Sequence, residues 1–407
     1  MRRRDFIASA AAVAFVAASV AYRNRPDSVL RNPCLAGLPR RLADHPVVRG
    51  AWDGIDPQQV WDGHVHLAGA GHGGTGIYLN PGLRSLSSPR RWLRTRTLFD
   101  AACVDPDSIR IDQDFVARLA QLANELPAGA KLVLLAFDYA YANDGRRLEA
   151  TTDFAVPDEF AAALAASNPA RFEWIASIHP YRADAVAAVE RARRRGARAV
   201  KWLPAAMGMD PAATACNNFY DALATAKLPL LSHAGEEGSV DGVRREELGN
   251  PLRLARAVER GVTVIVAHCA NMGYGLDWTG QRRSNLHLFF ELVNTSRFPG
   301  QVYGDISALL QVNRPIDGLA HLLHHEDLHA HLINGSDYPL PGVPPLISVR
   351  RLVASGLLSA EIAPTIVELR HYNPLLFDFV LKRHLAYRGK RFPAKVFETR
   401  RVLAARA

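Results

Sequence analysis

Eight short, near-continuous apolar runs recur along the chain, most of them separated by about one helix of alanine-rich, charged sequence. They are 60–66, 131–138, 173–179, 198–203, 228–233, 262–268, 302–307 and 331–337. Such Val/Ile/Leu-rich runs mark strands buried on both faces, as in a parallel sheet. From the second run onward the starts lie about 25 to 42 residues apart, room for a strand and its returning helix. Helical patterns fill the gaps at 158–166, 182–195, 215–226, 250–260 and 315–324. Eight βα units predict an α/β chain closed into a (β/α)₈ TIM barrel. No GxGxxG turn follows the first run, which argues against a dinucleotide-binding open sheet.

Two connections exceed a minimal barrel. About 64 residues separate the first and second runs, with Gly69, Gly71, Gly73, Gly74 and Gly76 near the strand end. A connection of that length in a compact domain is usually a binding element. The stretch after the sixth run is also long and polar, through Gly273, Gly275, Asp277, Gln281, Arg282 and Arg283. The predicted organisation is an N-terminal extension over 22–58, one barrel over 59–375, and a C-terminal helix with a basic tail over 376–407.

Residues 1–21 read as an address. Arg2, Arg3 and Arg4 precede Asp5, Phe6 and Ile7, and an uncharged Ala/Val-rich run follows to Ala21. This is a twin-arginine signal pattern, which makes the export machinery a partner and the destination periplasmic or extracytoplasmic. The apolar run is about 15 residues, short of the roughly 20 that span a bilayer. No stable membrane span is therefore expected once the signal is removed; retention would leave an anchor.

Composition narrows the function classes. With 48% hydrophobic and 22% charged residues, the chain is an ordinary globular one. The net charge of +9 is diffuse and lacks interleaved aromatics, so nucleic-acid binding is not expected. Cys34, Cys103, Cys216 and Cys269 are too few and scattered for a disulfide framework or a CxxC zinc site, and their pairing stays open.

The polar residues fall where a barrel places chemistry, at the C-terminal strand ends. The first run ends in His64-Val65-His66, the fourth contains Lys201, the fifth ends in His233, the sixth in His268 and the eighth in Asp337. Strand alternation puts His64 and His66 on one side as a ready chelate. A third His and a carboxylate from other strands complete a nitrogen-oxygen set suited to zinc, or to Mn, Fe or Co. Taken singly, each of these residues has a bland reading: a hydrogen-bonded core histidine, a lysine covering a helix, an N-cap aspartate. Coincidence at five strand ends has no such explanation.

The strings Asp62-Gly63-His64-Val65-His66, Lys201-Trp202-Leu203-Pro204, Ser232-His233-Ala234-Gly235, Ala267-His268-Cys269 and Asn334-Gly335-Ser336-Asp337-Tyr338-Pro339 resemble the amidohydrolase superfamily. They are most similar to its second branch, which includes aminocarboxymuconate-semialdehyde decarboxylase-like enzymes. The resemblance covers roughly residues 60 to 375. It implies one divalent ion, Zn²⁺ by expectation, held by His64, His66, His233 and Asp337, with His268 as a general acid or substrate polariser. A binuclear version would use a carboxylated Lys201 as the bridge, with His233 and His268 on the second ion.

The implied reaction is hydrolysis of a C–N or C–O bond (amide, ester or lactone) in a small-molecule substrate, with Asp337 as general acid and base. The alternatives are decarboxylation of an unsaturated or aromatic acid, and a catalytically silent binding barrel. Softer substrate candidates are Glu236 and Glu237 after the fifth run, Arg282 with Arg283, and His179 at the end of the third. Asp305 is a candidate partner of a ligand histidine. His321, His324, His325, His329 and His331 read as surface histidines. Whether the chain forms a homo-oligomer is left open.

Overall fold

The computed structural model describes residues 31–404, apart from Glu237, Ser239 and residues 295–299. The proposed signal at 1–21 and the candidate Glu237 lie outside the described residues. Each apolar run contains a strand: β1 (Trp61–His66), β2 (Lys131–Leu135), β3 (Phe172–Ile175), β4 (Val200–Trp202), β5 (Leu230–His233), β6 (Val264–Ala267), β7 (Val302–Asp305) and β8 (Leu332–Ile333). The helices between them match the expected stretches closely, for example Asp158–Ser167, Ala185–Arg194 and Ile316–His324.

All pairings among these strands are parallel. β1, β2 and β3 form one sheet, and β4 to β8 form a second in chain order. Main-chain bridges join the two sheets at both seams. Ala176 pairs with Val200, and the Lys201 amide donates to the Ala176 carbonyl. Val65 pairs with Tyr338, while the Asp337 amide donates to the His64 carbonyl at 2.8 Å. The chain is thus a TIM barrel.

The barrel interior is filled by one set of alternate residues, including Trp61, Val133, Leu135, Ile175, Ala199, Leu231, Ile265, Ala267 and Ile333. Their neighbours on the same strands, such as Leu132, Leu134, Val200 and Leu230, face the surrounding helices. Lys201 and His233 follow the inward parity of Ala199 and Leu231. In β1 the register shifts between Asp62 and Val65. This bulge lets Trp61 face inward below and His64 and His66 face inward above, with Val65 turned to the outer core.

Six of the eight expected strands overrun the observed ones at their C-terminal ends; those ending in His66 and His233 do not. β6 stops at Ala267, and His268 opens a tight turn in which His268, Cys269 and Ala270 have φ of 57°, 49° and 51°. β8 stops at Ile333, and Asp337 sits in the following turn at φ 63°. Non-glycine residues held in this left-handed region carry strain that surrounding structure must hold in place. Simple alternation would have pointed His268 away from the interior; the turn brings it back.

The long connection after β1 is mostly structured. It carries helices Pro89–Ala101 and Ile111–Asn124, and its Tyr78–Leu79 pairs antiparallel with Phe154–Ala155. A disulfide between Cys34 and Cys103 ties the N-terminal extension to the end of the first of these helices. The C-terminal helix spans Pro374–His384. The tail beyond it is not a free basic coil: short helices Ala394–Phe397 and Arg400–Leu403 return beneath the barrel, and Leu403 packs into its interior. Among the described residues no helix is long and apolar enough to cross a membrane.

Candidate metal centre

Asp305, at the end of β7, organises the centre. Its Oδ1 accepts from the His268 and Ser307 amides at 2.9 and 3.1 Å and from the Ser307 hydroxyl. Its Oδ2 lies 2.8 Å from His64 Nδ1. Burial would raise this carboxyl, but the neighbouring His64 and these donors hold it well below the ordinary range. An ionised Asp305 fixes His64 with the proton on Nδ1, leaving the Nε2 lone pair directed at the cavity. Lys201 Nζ lies 3.2 Å from that Nε2 and donates to it.

His66 Nε2 lies 3.1 Å from Asp337 Oδ1, and His64 Nε2 lies 3.6 Å from the same oxygen. Burial opposes charge on Asp337, yet His268, His66 and His64 together hold it well below its usual range. One donor atom from each of His64, His66 and Asp337 lies within 4.8 Å of the others. Two imidazoles and an ionised carboxylate at a cavity wall fit a divalent metal, so the donor set meets the requirement the sequence raised. His64, His268 and Asp305 are equally close together. Asp305 spends its oxygens on four donors there, which makes it a brace for the ligands rather than a ligand.

His268 stacks on His64 with ring centroids 5.1 Å apart, and its Nε2 lies 4.0 Å from Asp337 Oδ2. Its Nδ1 lies 2.8 Å from Ser307 Oγ, whose own proton goes to Asp305. This relay puts the His268 proton on Nδ1 and its Nε2 lone pair toward the cavity. His233 contacts His268 edge-on at 5.2 Å and lines the same cavity, but it falls outside the group of three. Burial pushes His233 and His268 well below the ordinary imidazole range, and the charge of Arg314 adds to this.

These residues form the floor of an open cleft. The connection after β1 supplies much of its wall, including Leu79, Leu83, Leu98 and Phe99. Gln311, Asn313 and Arg314 after β7 complete the polar end, and Arg351 holds that loop through the Gln311 and Arg314 carbonyls. No motif announced these three or Ser307; only their place after a barrel strand could have suggested them.

Several softer candidates fall elsewhere. His179 is 0% exposed, with Nε2 at 3.2 Å from the Met207 carbonyl and Nδ1 accepting from the Tyr181 amide; it does not line the cleft. Arg282 and Arg283 lie on an exposed ribbon, Tyr274–Leu276 paired with Arg282–Ser284, rather than on the cleft wall. Arg282 stacks on Tyr274 and Arg283 pairs with Asp277. The post-β6 connection folds on itself, which points these cations outward. Glu236 is exposed and packs toward Gly273, outside the cleft lining. His321 and His325 stack at 4.0 Å on a helix surface, while His329 and His331 contact the Leu322 and Val302 carbonyls. Among the described residues none of these five belongs to a metal-competent group.

Fold and site together define a parallel barrel with a His/Asp metal-type centre at its C-terminal strand ends. A family model described as Amidohydrolase matches residues 61–348, and the chain belongs to that family. No curated protein shows significant sequence similarity to it. Similar solved structures include an uncharacterised TIM-barrel protein of Bordetella bronchiseptica, at 16% identity and TM-score 0.45, covering 75% of this chain and 93% of that one. A candidate 2-pyrone-4,6-dicarboxylic acid hydrolase of Pseudomonas putida matches at 16% identity and TM-score 0.43, over 79% and 97% of the two chains. The 5-carboxyvanillate decarboxylase of Sphingomonas paucimobilis matches at 11% identity and TM-score 0.43, over 85% and 99%.

Proposed function

We propose that this chain is a metal-dependent hydrolase of a C–N or C–O bond in a small molecule, exported by the twin-arginine route. The observation that carries the reading is the position of Asp337. One of its oxygens lies 3.1 Å from His66 Nε2, and the other faces His268 Nε2 at 4.0 Å. His64, His66 and Asp337, with His233 beside them, would hold one divalent ion, by its ligand set Zn²⁺. When bound, such an ion supplies Lewis acidity and brings the pKa of water from about 15.7 to near 7.

The chain's own groups then divide the work. Asp337 takes a proton from the attacking water and delivers it to the leaving group, a role typically worth about 10²- to 10⁴-fold. His268, neutral and with its Nε2 lone pair inward, fits a proton acceptor or a ligand better than the polarising donor the sequence suggested. Lys201, 3.2 Å from His64 Nε2, supplies positive charge where an oxyanion develops. The His64 lone pair serves either Lys201 or a cation, so with a metal held by His64 the Lys201 ammonium would turn to the substrate, and a Lys201 carboxylated by carbon dioxide would instead be a further ligand. The Cys34–Cys103 disulfide supports the export reading, because such bridges persist in oxidising compartments.

A second reading, decarboxylation, is favoured by one observation: Lys201 and Arg314 place two cationic side chains at the polar end of the cleft, a setting that suits a substrate carboxylate. The test is a panel of esters, lactones, amides and aromatic acids offered to the metal-loaded protein. Hydrolysis that disappears in a His64→Ala/His66→Ala variant is expected. Carbon dioxide release without hydrolysis would move the assignment to the second reading, and turnover unaffected by the double substitution would defeat both.

A further inference from the structure

The centre occupies only the floor of the cleft, and the rest of the lining has a different chemistry. Above it stand Leu79, Leu98, Phe154, Val240, Met272 and Leu340, all cleft-lining and only half-buried. They come from five separate connections, after β1, β2, β5, β6 and β8. Six apolar side chains converging from five connections make this wall an apolar lining, the usual seat for the hydrocarbon part of a ligand. Apolar character continues past the rim: Met272 leads into the ribbon on which Tyr274, Leu276 and Trp278 are about 60% exposed.

The polar features of this wall are already engaged with one another. Arg94 pairs with Asp241 at 3.2 Å, Arg91 pairs with Asp153, and Asp153 Oδ2 accepts from the Asp241 amide at 2.9 Å. This network clamps the helix Pro89–Ala101 to the loops after β2 and β5 and so holds the wall in place. It leaves apolar surface as what the wall offers a ligand.

We infer that the substrate is an amphiphile, an ester, lactone or amide whose reacting carbonyl reaches the polar floor while a large aromatic or long aliphatic body lies along the wall contributed by the β1 connection. The inference rests on the hydrolase reading for the reacting group and on the wall alone for the apolar body. Leu79 and Leu98 are the specificity-determining residues it singles out.

Calorimetric titration of the metal-loaded protein with phenylacetate, phenylbutanoate and phenylhexanoate tests the wall without needing turnover. Burial of each added methylene tightens binding by about fourfold. A Leu79→Asn/Leu98→Asn variant, altered at cleft-lining positions, flattens that dependence while its metal content and circular-dichroism spectrum stay those of the parent. Affinity independent of chain length, no binding by any member, or a dependence the variant leaves intact would each overturn the inference. A steep dependence without hydrolysis of any ester or lactone would keep the apolar pocket and reject the hydrolase.

Discussion

Asp305 shows how much of the centre depends on a residue outside the cleft lining. Its two oxygens receive His64, Ser307 and two main-chain amides, and through them it sets which imidazole nitrogen of His64 and of His268 faces the cleft. Asp305→Asn keeps the shape but lets an amide N–H meet His64 Nδ1, reversing the tautomer. The expected result is a 10- to 100-fold loss of metal affinity, about the usual effect of removing such a brace, read by competition with a chelator. His64, His66 and Asp305 could be read from the sequence because strand parity decides direction. His268 and Asp337 could be placed near the site but not aimed, because their aim comes from left-handed backbone that no local pattern encodes.

His179 illustrates the opposite case, a strand-end histidine with a structural role. Burial pushes its imidazole down to about 3. The unfolded chain takes up this proton near pH 6.5, the folded one only near 3, so between those values the unfolded state binds more protons and stability falls as pH falls. His179→Gln should therefore remove about one proton from the acid-limb slope of urea-unfolding free energy against pH. An unchanged slope would mean that the ring titrates normally in the native protein.

At the scale of elements, the apolar runs located all eight barrel strands because buried parallel strands are apolar on both faces. The connection after β1 was legible only as long; its helices are amphipathic pieces whose place is fixed by tertiary partners. Asp112 is one such partner, accepting from the Ala70 and Gly71 amides and from Thr75. Gly69 lies against it so closely that a Cβ would come within 2.5 Å of Asp112. Gly335 has a similar reason, since a Cβ there would lie 2.6 Å from His64 Cβ.

The Cys34–Cys103 bridge fastens the helix that carries Leu98 and Phe99, and Cys216 and Cys269 remain as buried thiols, the former pushed up to about 12 by burial. Thiol titration at pH 8 should give no reactive cysteine in the native protein, two on unfolding and four after reduction. Reduction should also cost about 3 to 5 kcal/mol of stability, for the bridge closes a long loop of 69 residues. Four thiols on unfolding without reductant would show that the bridge is absent.

For the whole molecule, closure of the sheet is what turns scattered sequence positions into a site. Residues 64, 201, 233, 268 and 337 come from five strand ends and line one cleft because β1 meets β8 and β3 meets β4. The C-terminal segment serves the same closure. Leu403 fills the lower interior, and Lys382 of the C-terminal helix donates to the Gly335 carbonyl at 2.6 Å beneath the centre. Neither contact could be read from a basic tail, because both depend on where the barrel's lower face lies.

The converged donors have one decisive property, the capacity to hold an ion. Metal analysis of the purified, reloaded protein, run beside His66→Ala, tests that directly. About one equivalent of a divalent metal in the parent and its loss in the variant are expected. Less than about half an equivalent in the reloaded parent, or equal metal in both proteins, would contradict it.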